Sequence, residues 1–159
     1  MHRVGIGFDA HKFSQGHKLI IGGVEIPFEL GLEGHSDADV LTHAICDALL
    51  GAIGERDIGS HFPDTDSRYK GISSLVLLRE VLTLSNSKGF RVENIDTVLI
   101  CEKPKISEYV SQIKKKLASV FGLSEESLGI KATTTDGMGF TGRGEGIAAY
   151  AVVLIKTID

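Results

Sequence analysis

Cysteine, proline and excess charge of either sign are all scarce in this chain, and each shortage removes a class of protein. Cys46 and Cys101 are the only cysteines and carry no paired metal-finger spacing, so a disulfide scaffold and a thiolate zinc module are excluded. Three prolines and no G-X-Y period exclude a collagen-like rod, although glycine is abundant. No apolar run approaches the roughly 20 residues of a membrane-spanning helix. The 17 Lys and Arg against 21 Asp and Glu leave a net charge of −4, which argues against a broad cationic surface and therefore against nucleic acid as a partner. The run Lys114-Lys115-Lys116 has no aromatic residue interleaved and reads as the solvated face of a helix. No signal-like segment precedes the first strand, so the expected setting is the cytoplasm, of a bacterium rather than as a processed plastid protein.

What is present is ordinary for a globular chain: 159 residues, 42% hydrophobic and 24% charged, expected to fold as one domain over residues 1–159. Glycine is the outlier at 19 residues, and such an excess signals tight turns or close backbone approach. From Val4 to Asp9, large apolar residues alternate with glycine, as in a half-covered strand. Leu19-Ile20-Ile21 and Val24-Glu25-Ile26 flank Gly22-Gly23, the pattern of a hairpin with a two-residue turn. Val40, Leu41, Ala44, Ile45, Ala48, Leu49, Ala52 and Ile53 recur at helical spacing, with Ser36 or Asp37 expected as cap and Gly54 as stop. Residues 55–71 are rich in turn formers and read as a long functional loop. Helices are predicted over 73–88 and 106–121, and strands over 92–101, 128–135 and 147–155. The order gives an α/β fold of the α+β type, a mixed β-sheet with helices on one face. The last strand is apolar on both of its faces, so the side without helices needs cover, which a homo-oligomer supplies unless the strand is covered twice within one chain.

Asp9 and His11 lie two apart at the end of the first strand, where both side chains leave the same face. His43, on the long helix and one position off its apolar stripe, is the candidate third ligand. One carboxylate and two imidazoles leave a coordination position open, which describes a catalytic rather than a structural zinc site. Non-haem iron oxygenases use the same donor set, but on all-β scaffolds that the helical stripe at 40–53 argues against. Asp39 and Asp47 flank His43 at i−4 and i+4, where one of them could hold its outer ring nitrogen; Asp39, which completes a capping pattern with Ser36, reads rather as a cap or surface residue, and Asp47 equally well as part of a solvated acidic face. His35-Ser36 is expected at the helix N-terminus, where free N–H groups favour a phosphate. Gly137 to Gly142 matches G-x-G-x-x-G on paper, yet Arg143-Gly144-Glu145-Gly146 leads straight into the last strand, which excludes a dinucleotide fold. Lys131 to Asp136 offers hydroxyl and ammonium donors beside a carboxylate, a mixture suited to a pyrophosphate with a divalent cation. Lys103-Pro104-Lys105 ends the middle strand within reach of a phosphate or base. Both cysteines read as small buried apolar residues.

Six motifs, taken in order and spacing, carry a resemblance that runs from the first strand to the last. They are Gly7-Phe8-Asp9-Ala10-His11, His35-Ser36-Asp37-Ala38-Asp39, Asp57-Ile58-Gly59, Phe62-Pro63-Asp64-Thr65-Asp66, Lys131-Ala132-Thr133-Thr134-Thr135 and the segment from Phe140 to Gly146. Together they resemble the 2-C-methyl-D-erythritol 2,4-cyclodiphosphate synthase family. The resemblance implies a homotrimer with its sheets packed around the trimer axis and its active sites shared between subunits. It implies an enzyme of the non-mevalonate isoprenoid route that converts 4-diphosphocytidyl-2-C-methylerythritol 2-phosphate to the cyclic diphosphate and CMP. Asp9, His11 and His43 correspond to zinc ligands, and His35 with Thr134 to the groups that steady the transition state. Asp57, Ile58, Gly59, Phe62, Pro63, Asp64, Thr65 and Asp66 correspond to the methylerythritol-binding loop, with Ser36 beside it. Cys101, Glu102, Lys103, Pro104, Lys105, Ile106 and Ser107 match the cytidine diphosphate segment, and Thr133, Thr134 and Thr135 the phosphate-facing strand. Phe140 and Arg143 match positions at the substrate or at a central cavity able to take an isoprenoid diphosphate. Two positions depart from the family pattern: Asp136 replaces the usual glutamate at the second ion, magnesium or manganese on the diphosphate, and Glu102-Lys103 is more charged than usual.

Overall fold

A computed structural model of the chain describes residues 1–158. The alternation read from Val4 to Asp9 extends at both ends into β1 (His2–Ser14). The chain then turns through a hairpin, β2 (Leu19–Ile21) and β3 (Val24–Ile26), whose Gly22 and Gly23 both take the positive φ that a two-residue turn requires. A two-residue strand, β4 (Gly31–Leu32), too short for any periodic signal, pairs with the end of β1. Helix α1 (Val40–Ala52) follows, then α2 (Ile58–His61) and α3 (Ser74–Ser87). The second half runs β5 (Phe90–Ile100), α4 (Val110–Phe121), β6 (Leu128–Thr133), the single turn α5 (Gly139–Gly142) and β7 (Gly146–Thr157).

Five strands form one mixed sheet in the order β4-β1-β7-β5-β6. Central β7 is antiparallel to both neighbours, whereas β5 and β6 are parallel. The helices cover one face. Leu41, Ile45 and Leu49 of α1 are fully buried with Ala149, Ala151, Val153 and Ile155 of β7. The glycine alternation of β1 explains how closely α1 approaches the sheet. A Cβ built on Gly5 would fall on the carbonyl oxygen of Ala48, and one on Gly7 on that of Ala44, so helix backbone rests directly on strand backbone. This descending contact carries the start of α1 toward Asp9, two residues beyond Gly7.

The opposite face is bare. Phe8 lies opposite Tyr150 and Ile6 opposite Val152, and with Val4 they form an apolar strip in which Ile6 is 69% exposed and Tyr150 43%. The expectation for β7 thus holds in detail: one side packs on helices and the other has no cover among the described residues.

Two expectations are corrected. Helix α1 begins at Val40 and its cap is Asp39, not Ser36 or Asp37. Asp39 is buried because its carboxylate accepts four bonds, from Gly22 N and Thr42 N through Oδ1 and from Gly23 N and Thr42 Oγ1 through Oδ2. The hairpin turn therefore pulls the cap inward, and Ala38 at φ +55° ends any continuation toward Ser36. Residues 55–71 are more regular than a loop: α2 is anchored by Ile58 N donating to Asp47 at 2.7 Å, and a turn of 3₁₀ helix at Ser67–Tyr69 is capped by Asp66.

Candidate metal centre and ligand cavity

The close seating of α1 on β1 brings its first turn over the end of the strand. Asp9 Oδ2 lies 2.8 Å from His11 Nε2 and 3.1 Å from His43 Nδ1, and the two ring nitrogens are 3.1 Å apart. All three donor atoms fall within 4.8 Å of one another, the only such His/Cys/Asp/Glu group among the described residues. The outer nitrogens of both rings are engaged. His11 Nδ1 donates to the Glu33 carbonyl at 2.8 Å, which in the neutral ring leaves the Nε2 lone pair facing Asp9. His43 Nε2 lies 2.8 Å from Ser74 Oγ and 3.0 Å from Ser36 Oγ, two hydroxyls able to accept its proton, and its Nδ1 faces the same point. A carboxylate and two correctly turned imidazoles are the donor set of a divalent zinc-like cation with an open position.

Electrostatics agree with this assembly. Burial pushes the Asp9 carboxyl up, but His11 and His43, which hydrogen-bond to it when the metal-free imidazoles are protonated, outweigh that effect and hold the group at about 2. Burial pushes His11 down, while the Asp9 carboxylate bonded to it leaves its pKa raised overall. Neither acidic neighbour on α1 holds the outer nitrogen of His43. Asp39 is committed to the hairpin and helix cap, and Asp47 to the Ile58 amide, so Ser74 and Ser36 take that place. Burial raises the carboxyl of Asp39 and of Asp47, and the Asp9 charge adds to the effect at Asp47.

A cavity of about 300 Å³ opens on the centre, lined by His11, His35, Ser36 and His43 on one side and by Ile58, Gly59, Phe62 and Asp64 on the other. The structure thus brings four of the eight predicted loop residues, Ile58, Gly59, Phe62 and Asp64, to the cavity of the metal group. Asp57 caps α2 and accepts from Ser60 Oγ, while Asp66 accepts from Arg68 and gives its carbonyl to His35 Nε2 at 2.9 Å. Pro63 and Thr65 are exposed on the same loop. Because α1 starts at Val40, His35 and Ser36 precede the helix by several residues and act through their side chains and loop backbone, not through the helix terminus. Ser74, Tyr69, Leu77 and the Glu33 carbonyl join the site without having given a sequence signal: a serine at a helix start reads as a cap, and a backbone carbonyl has no letter.

The nucleotide-like residues gather elsewhere. Residues 101–107 and 133–136 meet beyond the carboxyl ends of the parallel pair β5 and β6, where Cys101 N donates to the Thr133 carbonyl at 2.9 Å. Glu102, unusual on the family pattern, has a physical role here: its Oε1 accepts from Thr135 N and Gly137 N and ties the two segments together. Lys103, Lys105, Ser107, Thr133, Thr134 and Asp136 are exposed, Pro104 and Thr135 are half-buried, and Ile106 anchors the segment in the core. Thr134 Oγ1 lies 3.4 Å from Asp136, whose φ of +52° turns the chain sharply. Cys101 is buried, and burial raises its thiol to about 11, as expected of an unreactive cysteine. Phe140 lines a second hollow of about 430 Å³ with Ala10, Lys12 and Glu145, His11 borders both this hollow and the metal-side cavity, and Arg143 pairs with Glu145 at 2.7 Å. None of these nucleotide-segment residues lines the metal-side cavity.

Fold and site together define an α+β protein with an open Asp-His-His cation centre beside a ligand cavity. The chain belongs to the YgbB family, whose model matches residues 2–156, and its relatives are 2-C-methyl-D-erythritol 2,4-cyclodiphosphate synthases. The synthase of Caldicellulosiruptor bescii is 57% identical over 155 residues, which cover 98% of this chain and 99% of that one. Among solved structures, a bifunctional enzyme from Campylobacter jejuni superposes with a TM-score of 0.96 at 38% identity, covering all of this chain and 43% of that longer one. A Plasmodium falciparum synthase in complex with CDP gives a TM-score of 0.87 at 31% identity, over 99% of this chain and 97% of that one. No helix among the described residues is long and apolar enough to cross a membrane.

Proposed function

We propose that this chain is a metal-dependent cyclodiphosphate synthase that converts 4-diphosphocytidyl-2-C-methyl-D-erythritol 2-phosphate to 2-C-methyl-D-erythritol 2,4-cyclodiphosphate and CMP in the non-mevalonate isoprenoid pathway. The observation that carries this reading is the triad of lone pairs on Asp9, His11 and His43, fixed from behind and opening on the cavity of His35 and the 57–66 loop. An oxygen of the substrate's own 2-phosphate attacks the β-phosphorus in line. The new P–O bond closes the ring as the bond from the β-phosphorus to the bridging oxygen breaks, and that oxygen leaves on CMP, so no water enters the products. No side-chain nucleophile is needed; the demands are positioning and neutralisation of two approaching anions. Zinc at Asp9, His11 and His43, and magnesium or manganese at the diphosphate beside Asp136, supply charge neutralisation and polarisation of phosphate oxygens when bound.

The remaining work belongs to the chain. Ile58, Gly59, Phe62 and Asp64 fold the methylerythritol so that its 2-phosphate faces the diphosphate, and Asp57, Pro63, Thr65 and Asp66 shape that loop. His35 and Ser36 donate to phosphate oxygens at the reacting centre. Residues 101–107, with Lys105, bind the cytidine diphosphate; Thr133, Thr134 and Thr135 face its phosphates, and Thr134 joins His35 in steadying the transition state. Since the two groups of residues lie apart within one chain, the active site is shared between subunits of a homotrimer whose axis buries the Val4, Ile6, Phe8, Tyr150 and Val152 strip. Phe140 and Arg143, both exposed, are assigned to the axial cavity, suited to an isoprenoid diphosphate. Each subunit is one domain over residues 1–159, acting in a bacterial cytoplasm.

Incubation of the protein with the cytidyl substrate, zinc and magnesium is expected to release CMP and the cyclic diphosphate in equal amounts. Release of neither would refute the reading. Release of CMP with an open-chain diphosphate would make the chain a hydrolase instead.

A further inference from the structure

Behind the metal ligands lies a hydrogen-bonded chain that no motif of the sequence announces. Ser74, the first residue of α3, is fully buried and its hydroxyl meets three partners. They are Asp37 Oδ1, at short range, His43 Nε2 at 2.8 Å and, more distantly, the Ser36 hydroxyl at 3.4 Å. The direction of each bond follows from what each atom can carry. Asp37 is a carboxylate already accepting from Asp39 N at 3.2 Å through Oδ1 and from Ser74 N at 3.1 Å through Oδ2, so it has no proton to give. The single hydroxyl proton of Ser74 must therefore point at Asp37. The Oγ lone pair is then turned to His43, which must donate from Nε2 and present Nδ1 unprotonated toward Asp9 and His11. Ser36, 3.0 Å from the same nitrogen, lines the ligand cavity, so its hydroxyl is shared with whatever binds there.

We propose that Asp37 and Ser74 are positioning residues of the metal centre: the carboxylate fixes the serine rotor, and the serine fixes the tautomer and ring angle of His43. This rests on the reading of Asp9, His11 and His43 as metal ligands. Asp37 and the neighbouring His35 also join that centre to the substrate loop. Asp37 N donates to the Ile72 carbonyl at 3.0 Å and Gly71 N to the His35 carbonyl at 2.7 Å, so the end of the 55–73 segment is stitched to the segment that holds His35 and Ser36. Movement of one therefore shifts the support of the other.

The test is zinc affinity, measured by competition against a chromophoric chelator, for wild type and Ser74→Ala. The variant keeps the Ser74 N–H bond to Asp37, so the first turn of α3 stays anchored. Loss of the hydroxyl is expected to weaken zinc binding about 10- to 100-fold, as removal of outer partners of metal-bound histidines does. Saturating zinc should restore turnover. Nitrogen NMR of the metal-free protein, above the imidazole titration range, should show His43 protonated only at Nε2 in wild type and as a mixture of tautomers in the variant. A merely structural serine would leave both readouts unmoved, and unchanged affinity with an unchanged tautomer overturns the proposal. Should Ser74→Ala fail to fold, Asp37→Asn is measured in the same way, with an expected loss of about three- to tenfold and the same overturning result. Wild type that binds no zinc would overturn the metal reading together with this one, whereas a tight wild-type site indifferent to both substitutions would overturn only this one.

Discussion

His43 is held by Ser74 at Nε2 and faces Asp9 with Nδ1, yet its ring borders a cavity rather than the core. Truncation should therefore cost chemistry more than folding. His43→Ala is expected to lose zinc stoichiometry and to lower kcat/KM by more than about a hundredfold, beyond the usual cost of an outer-shell change. Its thermal midpoint should match metal-free wild type within a few degrees. Asp39 is the opposite case, a carboxylate with no part in the chemistry and four bonds to make. Asp39→Ala removes the cap of α1 and strands the amides of Gly22 and Gly23, so a loss of about 3 kcal/mol or more in denaturant unfolding is expected. The candidate ligands Asp9, His11 and His43 were legible because D-x-H on a strand and a histidine off a helical stripe are patterns of residue type and spacing, which gain weight from the motifs around them. The support was not: Asp39 and Asp47 share a helix with His43 at inviting spacing, but tertiary contacts claim both, and the actual partner is a serine 31 residues away along the chain.

Among the elements, the contact between α1 and β1 decides the site. Two glycines let the helix backbone sit on the strand, and the site is assembled only if that distance is kept. Gly7→Ala would drive a methyl group into the Ala44 carbonyl. An unfolding penalty of about 2 kcal/mol is expected from overpacking, together with weaker zinc binding as the first turn of α1 lifts from Asp9; urea titration and metal competition measure the two effects. The long elements were legible from periodicity, and the hairpin from its glycine pair. Strand β4 and the turns α2 and α5 were not, because two to four residues cannot complete a period. Their positions come from partners distant in sequence, as with Asp47 and Ile58.

At the scale of the whole molecule, one chain leaves two things unfinished: an apolar strip on the sheet and a metal cavity without its nucleotide segment. The proposed trimer would answer both. Sedimentation equilibrium is expected to give three times the subunit mass for wild type. Ile6→Asp, which places a charge in the strip away from every proposed catalytic group, should shift it to monomer and abolish turnover while leaving zinc binding in place. The need for cover was legible from a last strand apolar on both faces, whereas the number of subunits was not, since a bare strip does not specify a symmetry. The charge balance also finds its place here, since −4 overall is compatible with a polyanionic substrate when cations at the site carry the local positive charge. The most direct test of the account is a phosphorus NMR time course with the cytidyl substrate, first with metal-stripped protein and then after zinc and magnesium are restored. The account predicts no reaction in the first phase and, in the second, stoichiometric conversion to CMP and the cyclic diphosphate. Turnover by the stripped protein, or none after both metals return, would contradict it.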